Sequence, residues 1–129
     1  MTLGLKVLCG LWGGLMILIG GRWWLGFDSV AADWAVQALG PLGVNNLIAD
    51  MGGLFVGGGI MIALGLRAGH SVWLLAAALL NAVAACGRLF GYVAWEYVPA
   101  TLISVILEIL ASVLLIWTHH RMTTEQAGR

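Results

Sequence analysis

The sequence predicts an all-α fold: a four-transmembrane-helix bundle with a short interfacial amphipathic helix between spans 1 and 2. Three observations predict it. Hydrophobic residues make up 61% of the 129 residues and charged residues 9%. The mean hydropathy is +0.98. A soluble domain carries about 25% charged residues, so this chain has too few to cover a water-facing surface. Four apolar segments reach or approach the roughly 20 residues that cross a bilayer. Lipid satisfies no backbone hydrogen bond, and segments of this length must then be helices.

The first span runs from Leu3 to Gly21, with Lys6 snorkelling towards water. It resembles a signal peptide in its charge and apolar run. No small-residue cleavage pattern follows; Arg22-Trp23-Trp24 does, which reads as an interfacial anchor on an uncleaved span. Residues 22–46 connect spans 1 and 2. Within them Ser29, Asp33 and Gln37 recur every four residues, opposite Phe27, Val30, Ala31, Trp34 and Ala38. That spacing predicts a short amphipathic helix ended by Gly40-Pro41. It would lie at the membrane surface, as an anchor for the bundle or a lid over it. The second span, Leu47 to Leu66, places Asp50 in its first turn and Asn45 or Asn46 as its cap. The third, Ser71 to Trp95, carries Arg88, and the fourth, Val98 to Trp117, carries Glu108. Pro99 suits the first turn of that last helix. Residues 1–129 read as one membrane domain.

Charges outside the spans set direction. Lys6, Arg67, Arg121 and Arg129 fall on one side of an alternating chain; Arg22 falls on the other, with Asp28, Asp33 and Glu96. The positive-inside rule then puts both termini in the cytoplasm, with the chain in the cytoplasmic (inner) membrane. Six basic residues balance six acidic ones and no basic run exists. Nucleic acid therefore has no electrostatic footprint here. Cys9 and Cys86 lie near opposite ends of their spans. A disulfide needs Cα atoms within about 7 Å, so two free thiols are expected.

Nineteen glycines would weaken soluble helices, but in lipid they let backbones approach. Gly10 with Gly14 and Gly53 with Gly57 form GxxxG pairs, predicted as helix-packing surfaces within the chain, in a homo-oligomer or in a larger membrane complex. Polar residues also share faces. Thr101, Ser104, Glu108 and Ser112 line one side of span 4; Asn81, Arg88, Tyr92 and Trp95 share a face of span 3; Asp50 joins Gly53 and Gly57 on span 2. A common interior would collect Asp50, Asn81, Arg88, Tyr92, Ser104 and Glu108. An ionised carboxylate at bilayer depth costs roughly 3 kcal/mol or more, so Glu108 needs a partner, a proton or a cavity. Arg88 is the one basic residue inside a late span. Counted from the Trp95 and Val98 ends, Arg88 lies about 10 Å deep and Glu108 about 15 Å, an offset of about 5 Å that extended side chains can bridge. Arg88 is placed to meet Asp50 above it and Glu108 below it.

Elsewhere the residues carry less. His119-His120-Arg121 reads as interfacial cations just past span 4, because adjacent helical positions diverge by about 100° and suit one metal poorly. His70 shares a short loop with Arg67. Tyr92, Trp95 and Tyr97 read as an aromatic belt. No P-loop, GxSxG, HExxH or haem motif occurs, and no metal or cofactor is expected.

Asp50 with Gly52-Gly53, then Gly65-Leu66-Arg67, Gly87-Arg88 and Glu108 follow one another in an order that resembles a bacterial family of four-helix membrane proteins catalogued as a domain of unknown function. The resemblance covers roughly residues 47–117. Many relatives carry a further arginine near the acidic residue, where this chain has Ala49-Asp50-Met51. The family is also loosely similar to DoxX-like four-helix proteins. The resemblance implies a fold and a membrane address and supplies no reaction.

Two functional expectations follow. The first is a non-catalytic scaffold or accessory subunit, with Arg88 and Glu108 locking helix register. The alternative is a binder or enzyme for a lipophilic molecule, such as a quinone or lipid, with Glu108 moving a proton and Arg88 stabilising negative charge. A proton or ion carrier fits less well, because one central carboxylate has no evident relay.

Overall fold

The computed structural model describes residues 2–128. Its helices are α1 (Thr2–Leu25), α2 (Phe27–Asp33), α3 (Gly40–Leu47), α4 (Gly53–Gly65), α5 (Val72–Ala94) and α6 (Leu102–Ala127). A π turn, Ile48–Gly52, joins α3 to α4, and a 3-10 turn, Pro99–Thr101, leads into α6. Four stretches are long and apolar enough to cross a membrane: Leu3–Leu25, Gly40–Gly65, Val72–Ala94 and Pro99–Ala127. With leucine, isoleucine and valine exposed along each of them, the chain is a multi-pass membrane protein.

The chain divides into two compact units, Leu11–Ile60 and Met1–Gly10 with Met61–Arg129. In Leu11–Ile60 the core is Trp23, Val30 and Ala31, packed by Phe27, Trp34, Leu47 and Met51. Trp23 meets Phe27 at 5.9 Å and Trp34 at 5.7 Å between ring centroids. Trp23 is therefore a core residue, a correction to its expected role as an interfacial anchor beside Arg22. Trp24 instead is half exposed, and its indole N–H donates to the Ile48 carbonyl at 3.1 Å. A π turn loosens the α-helical ladder and leaves a carbonyl with acceptor capacity; the indole fills it. The Trp24 ring occupies the place where a side chain at position 52 would stand, so Gly52 is what lets it lie there.

The short helix between spans 1 and 2 is present, but its ends differ from expectation. It stops at Asp33, and Gln37 and Ala38 lie beyond it. Ala35 takes a left-handed φ of 52°. The Val36 N–H bonds the Ala31 carbonyl at 2.9 Å and the Ala35 N–H bonds the Ala32 carbonyl at 3.1 Å, the pattern of a Schellman stop. Gly40-Pro41 opens the next helix instead of closing this one: Gly40 has φ +69° and Pro41 sits in the first turn of α3. Span 2 thus begins at Gly40, and Asn45 and Asn46 lie inside α3 and do not cap a helix. A left-handed alanine costs about 1 kcal/mol or more, only part of which the greater chain entropy of unfolded glycine offsets. Ala35→Gly is expected to raise stability by up to about 1 kcal/mol, read as a higher unfolding midpoint in detergent.

The glycines that bring helices together are not the predicted pairs. At Gly20 a Cβ would stand 2.8 Å from the Gly52 carbonyl, and at Gly59 it would stand 2.5 Å from the Gly13 carbonyl. At Gly14, Gly53 and Gly57 it would meet nothing within 4 Å, and at Gly10 only Leu66 at 3.7 Å. The GxxxG register expected for packing within the chain is corrected accordingly. Helical phase decides it: Gly59 lies about 200° around the helix from Gly57.

In the other unit α5 and α6 form an antiparallel hairpin. Leu74, Ala77, Ala78, Asn81 and Ala85 of α5 are buried with Val105, Ala111, Ser112, Leu115 and Thr118 of α6. The alanines keep the two axes close. Cys9 is buried with its Sγ 3.3 Å from Thr118 Oγ1, and Cys86 is exposed; both thiols are free.

Candidate functional site

The α5–α6 hairpin sets the level of its charges. Because residues 99–101 form a 3-10 turn, α6 starts at Leu102 and not at Val98. Arg88 lies six residues before Ala94, the end of α5, and Glu108 six residues after Leu102. Each is about 9 Å from its own helix end. Counted from the helix ends the two charges stand equally far in, because α6 begins four residues later than the sequence suggests.

The two side chains meet. Arg88 Nε lies 3.0 Å from Glu108 Oε1 and 3.2 Å from Oε2. A single N–H thus straddles both carboxylate oxygens. The terminal Nη1 and Nη2, with four N–H donors, have no hydrogen-bond partner among the described residues. The Glu108 side chain is 13% exposed and that of Arg88 30%.

Around the pair the hairpin supplies hydroxyls. Thr101 Oγ1 donates to the Val98 carbonyl at 2.9 Å, so the Tyr92 hydroxyl, 2.7 Å from it, is the donor of that bond. Tyr92 also stacks edge-on against Tyr97 at 5.0 Å. Ser112 Oγ lies 2.8 Å from the Glu108 carbonyl and 3.1 Å from the Ala78 carbonyl across the seam, and its one proton serves one of them at a time. Asn81 turns inward on its own helix, donating to the Ala77 carbonyl at 2.8 Å. Ser104 is half-buried and makes no side-chain hydrogen bond among the described residues.

Of the residues expected to share an interior, Arg88 and Glu108 are therefore in direct contact, and Tyr92 lies one turn beyond Arg88. Asp50 belongs to Leu11–Ile60, is exposed in the π turn, and has no side-chain partner among the described residues. Every hydrogen bond of Arg88 among the described residues goes to Glu108.

Sequence reasoning missed the opposite end of the hairpin. Helix α6 continues to Ala127, so His119, expected just past span 4, lies within a helix that runs on for about two more turns. Its Nδ1 lies 3.0 Å from the Ser71 carbonyl. A carbonyl only accepts, so Nδ1 carries the proton, and the residue ties α6 to the start of α5. The Cys9–Thr118 contact one residue earlier adds the first turns of α1 to the same layer. Small polar residues at apolar positions, Cys9 and Thr118, were the available signal.

Chemically, the pair is a neutral dipole with an open donor edge. No family model, curated protein or solved structure matches the chain.

Proposed function

We propose that the protein is a non-catalytic scaffold or accessory subunit of the bacterial inner membrane, working through helix–helix association with both termini in the cytoplasm. The observation that carries this reading is the open backbone at Gly14, Gly53 and Gly57, where the chain's own packing places nothing. Glycine facing lipid wastes dispersion contacts that a larger side chain would make, whereas glycine facing another helix allows close approach. The Arg88–Glu108 contact supports the same reading, because each charge has its counter-charge within the hairpin and serves to fix register. The cytoplasmic placement of the termini rests on Lys6, Arg67, Arg121 and Arg129.

Native mass spectrometry of the protein extracted gently from its own membrane tests the proposal. A stoichiometric protein partner or a defined homo-oligomer is the expected result. A monomer carrying one discrete small molecule would overturn it in favour of a lipophilic-ligand site at Arg88 and Glu108.

A further inference from the structure

Helix α5 has two unlike sides at the level of the ion pair. Leu74, Ala77, Ala78, Asn81 and Ala85 are buried. Gly87 and Gly91, four residues apart, form a further small-residue pair, and a Cβ on either would meet nothing within 4 Å. Ala84 is exposed beside them. At about 100° per residue, Arg88 stands on the border between the buried side and this open one.

Its bonding is half complete. Nε is used by Glu108, while Nη1 and Nη2 are unpartnered among the described residues. Glu108 accepts from one N–H only, and a carboxylate has about four acceptor sites. Unsatisfied donors and spare acceptor capacity therefore lie side by side. In hydrocarbon each unpaired N–H costs several kcal/mol, so something polar completes the edge.

We infer that this face is a homotypic interface: a second copy of the chain docks on the Gly87–Gly91 side of α5, and each Arg88 fork donates to the partner's Glu108. The inference rests on the association reading above and names its partner. Charge complementarity selects that partner. The Arg88–Glu108 pair is neutral, so it holds no net attraction for an anionic lipid, but a dipole inverted by a two-fold axis matches itself. Two-fold association needs this property, since the same patch must serve both sides. The glycines supply the other requirement, allowing two α5 backbones to come close enough for an arginine to reach across.

Cross-linking in native membranes tests it. In a full-length Cys9→Ser/Cys86→Ser background, Gly91→Cys should give a dimer with a short bis-maleimide. Val93→Cys, exposed on the other side of α5, should give at least tenfold less. Gly87→Leu, whose Cβ meets nothing within 4 Å in its own chain, should lower the Gly91→Cys dimer at least tenfold. So should Arg88→Gln, and Arg88→Glu/Glu108→Arg should restore it, because an exchanged pair is again self-complementary. Equal cross-linking at positions 91 and 93 would overturn the interface. So would a Gly91→Cys dimer insensitive to Gly87→Leu. No dimer, with a different protein bound in native mass spectrometry, would overturn the second copy and keep the association reading; a bare monomer would overturn both.

Discussion

Glu108→Gln is expected to be the most damaging single change in the α5–α6 hairpin, and adding Arg88→Gln to it is expected to repair most of the harm. The pair is close, at 3.0 and 3.2 Å from Nε to the two carboxylate oxygens, and Glu108 is 13% exposed. Removing one partner of a buried pair costs about 3 kcal/mol or more, because it strands the other charge away from water. The two single variants differ in their escape. After Arg88→Gln the stranded carboxylate can take up a proton and become neutral. After Glu108→Gln the stranded guanidinium cannot shed its charge. The order of stability is therefore wild type, then the double variant, then Arg88→Gln, then Glu108→Gln. The double variant should lie within about 1.5 kcal/mol of wild type, the usual worth of a hydrogen bond. Denaturant unfolding in detergent micelles, followed by helical circular dichroism, reads the order directly. A double variant as unstable as the worse single one would mean that the pair does not act as a register lock.

That pair is legible in the sequence because membrane depth makes charge conspicuous. Glu108 and Arg88 stand in neighbouring apolar runs whose connection is too short to allow anything but an antiparallel hairpin. Hydropathy locates the four spans for the same reason: lipid imposes one demand on every residue of a crossing helix. The features that sequence does not reveal depend on tertiary contacts that leave no periodic trace. The stop at Ala35 uses an alanine where glycine is the usual signal, and the nearest glycine, Gly40, misleads because it starts α3. The π turn at 48–52 depends on an indole arriving from α1. Trp23 and Trp24 are adjacent and identical, yet one is fully buried and the other half exposed, a difference set only by which side of α1 each occupies. Glycine spacing identifies a capacity for close approach without naming the neighbour. Gly53 and Gly57 fit the motif and face open space, whereas Gly20, Gly52, Gly59 and Gly65 are the ones pressed against other groups.

The last of these contrasts carries a second large effect, because Gly57 and Gly59 sit in one helix and differ only in phase. A Cβ at Gly59 would stand 2.5 Å from both the Gly13 carbonyl oxygen and Ile17 Cγ1. Ile17 can turn aside, but a backbone carbonyl in mid-helix cannot, so α1 or α4 must shift. Overpacking of this kind costs about 1–3 kcal/mol. Gly59→Ala is therefore expected to be destabilising even though alanine is intrinsically the better helix former by about 1 kcal/mol. Gly57→Ala meets nothing within 4 Å and should change stability by no more than about 0.5 kcal/mol, as open positions do. Both are measured at high micelle-to-protein ratio, where association is diluted away and only packing within the chain is read. Gly59→Leu, too large for any shift of a few tenths of an ångström, should fail to accumulate. Equal stability of Gly57→Ala and Gly59→Ala would mean that α1 and α4 do not approach through Gly13 and Gly59. The close glycine contact would then have to be sought between Gly20 and Gly52, nearer the π turn.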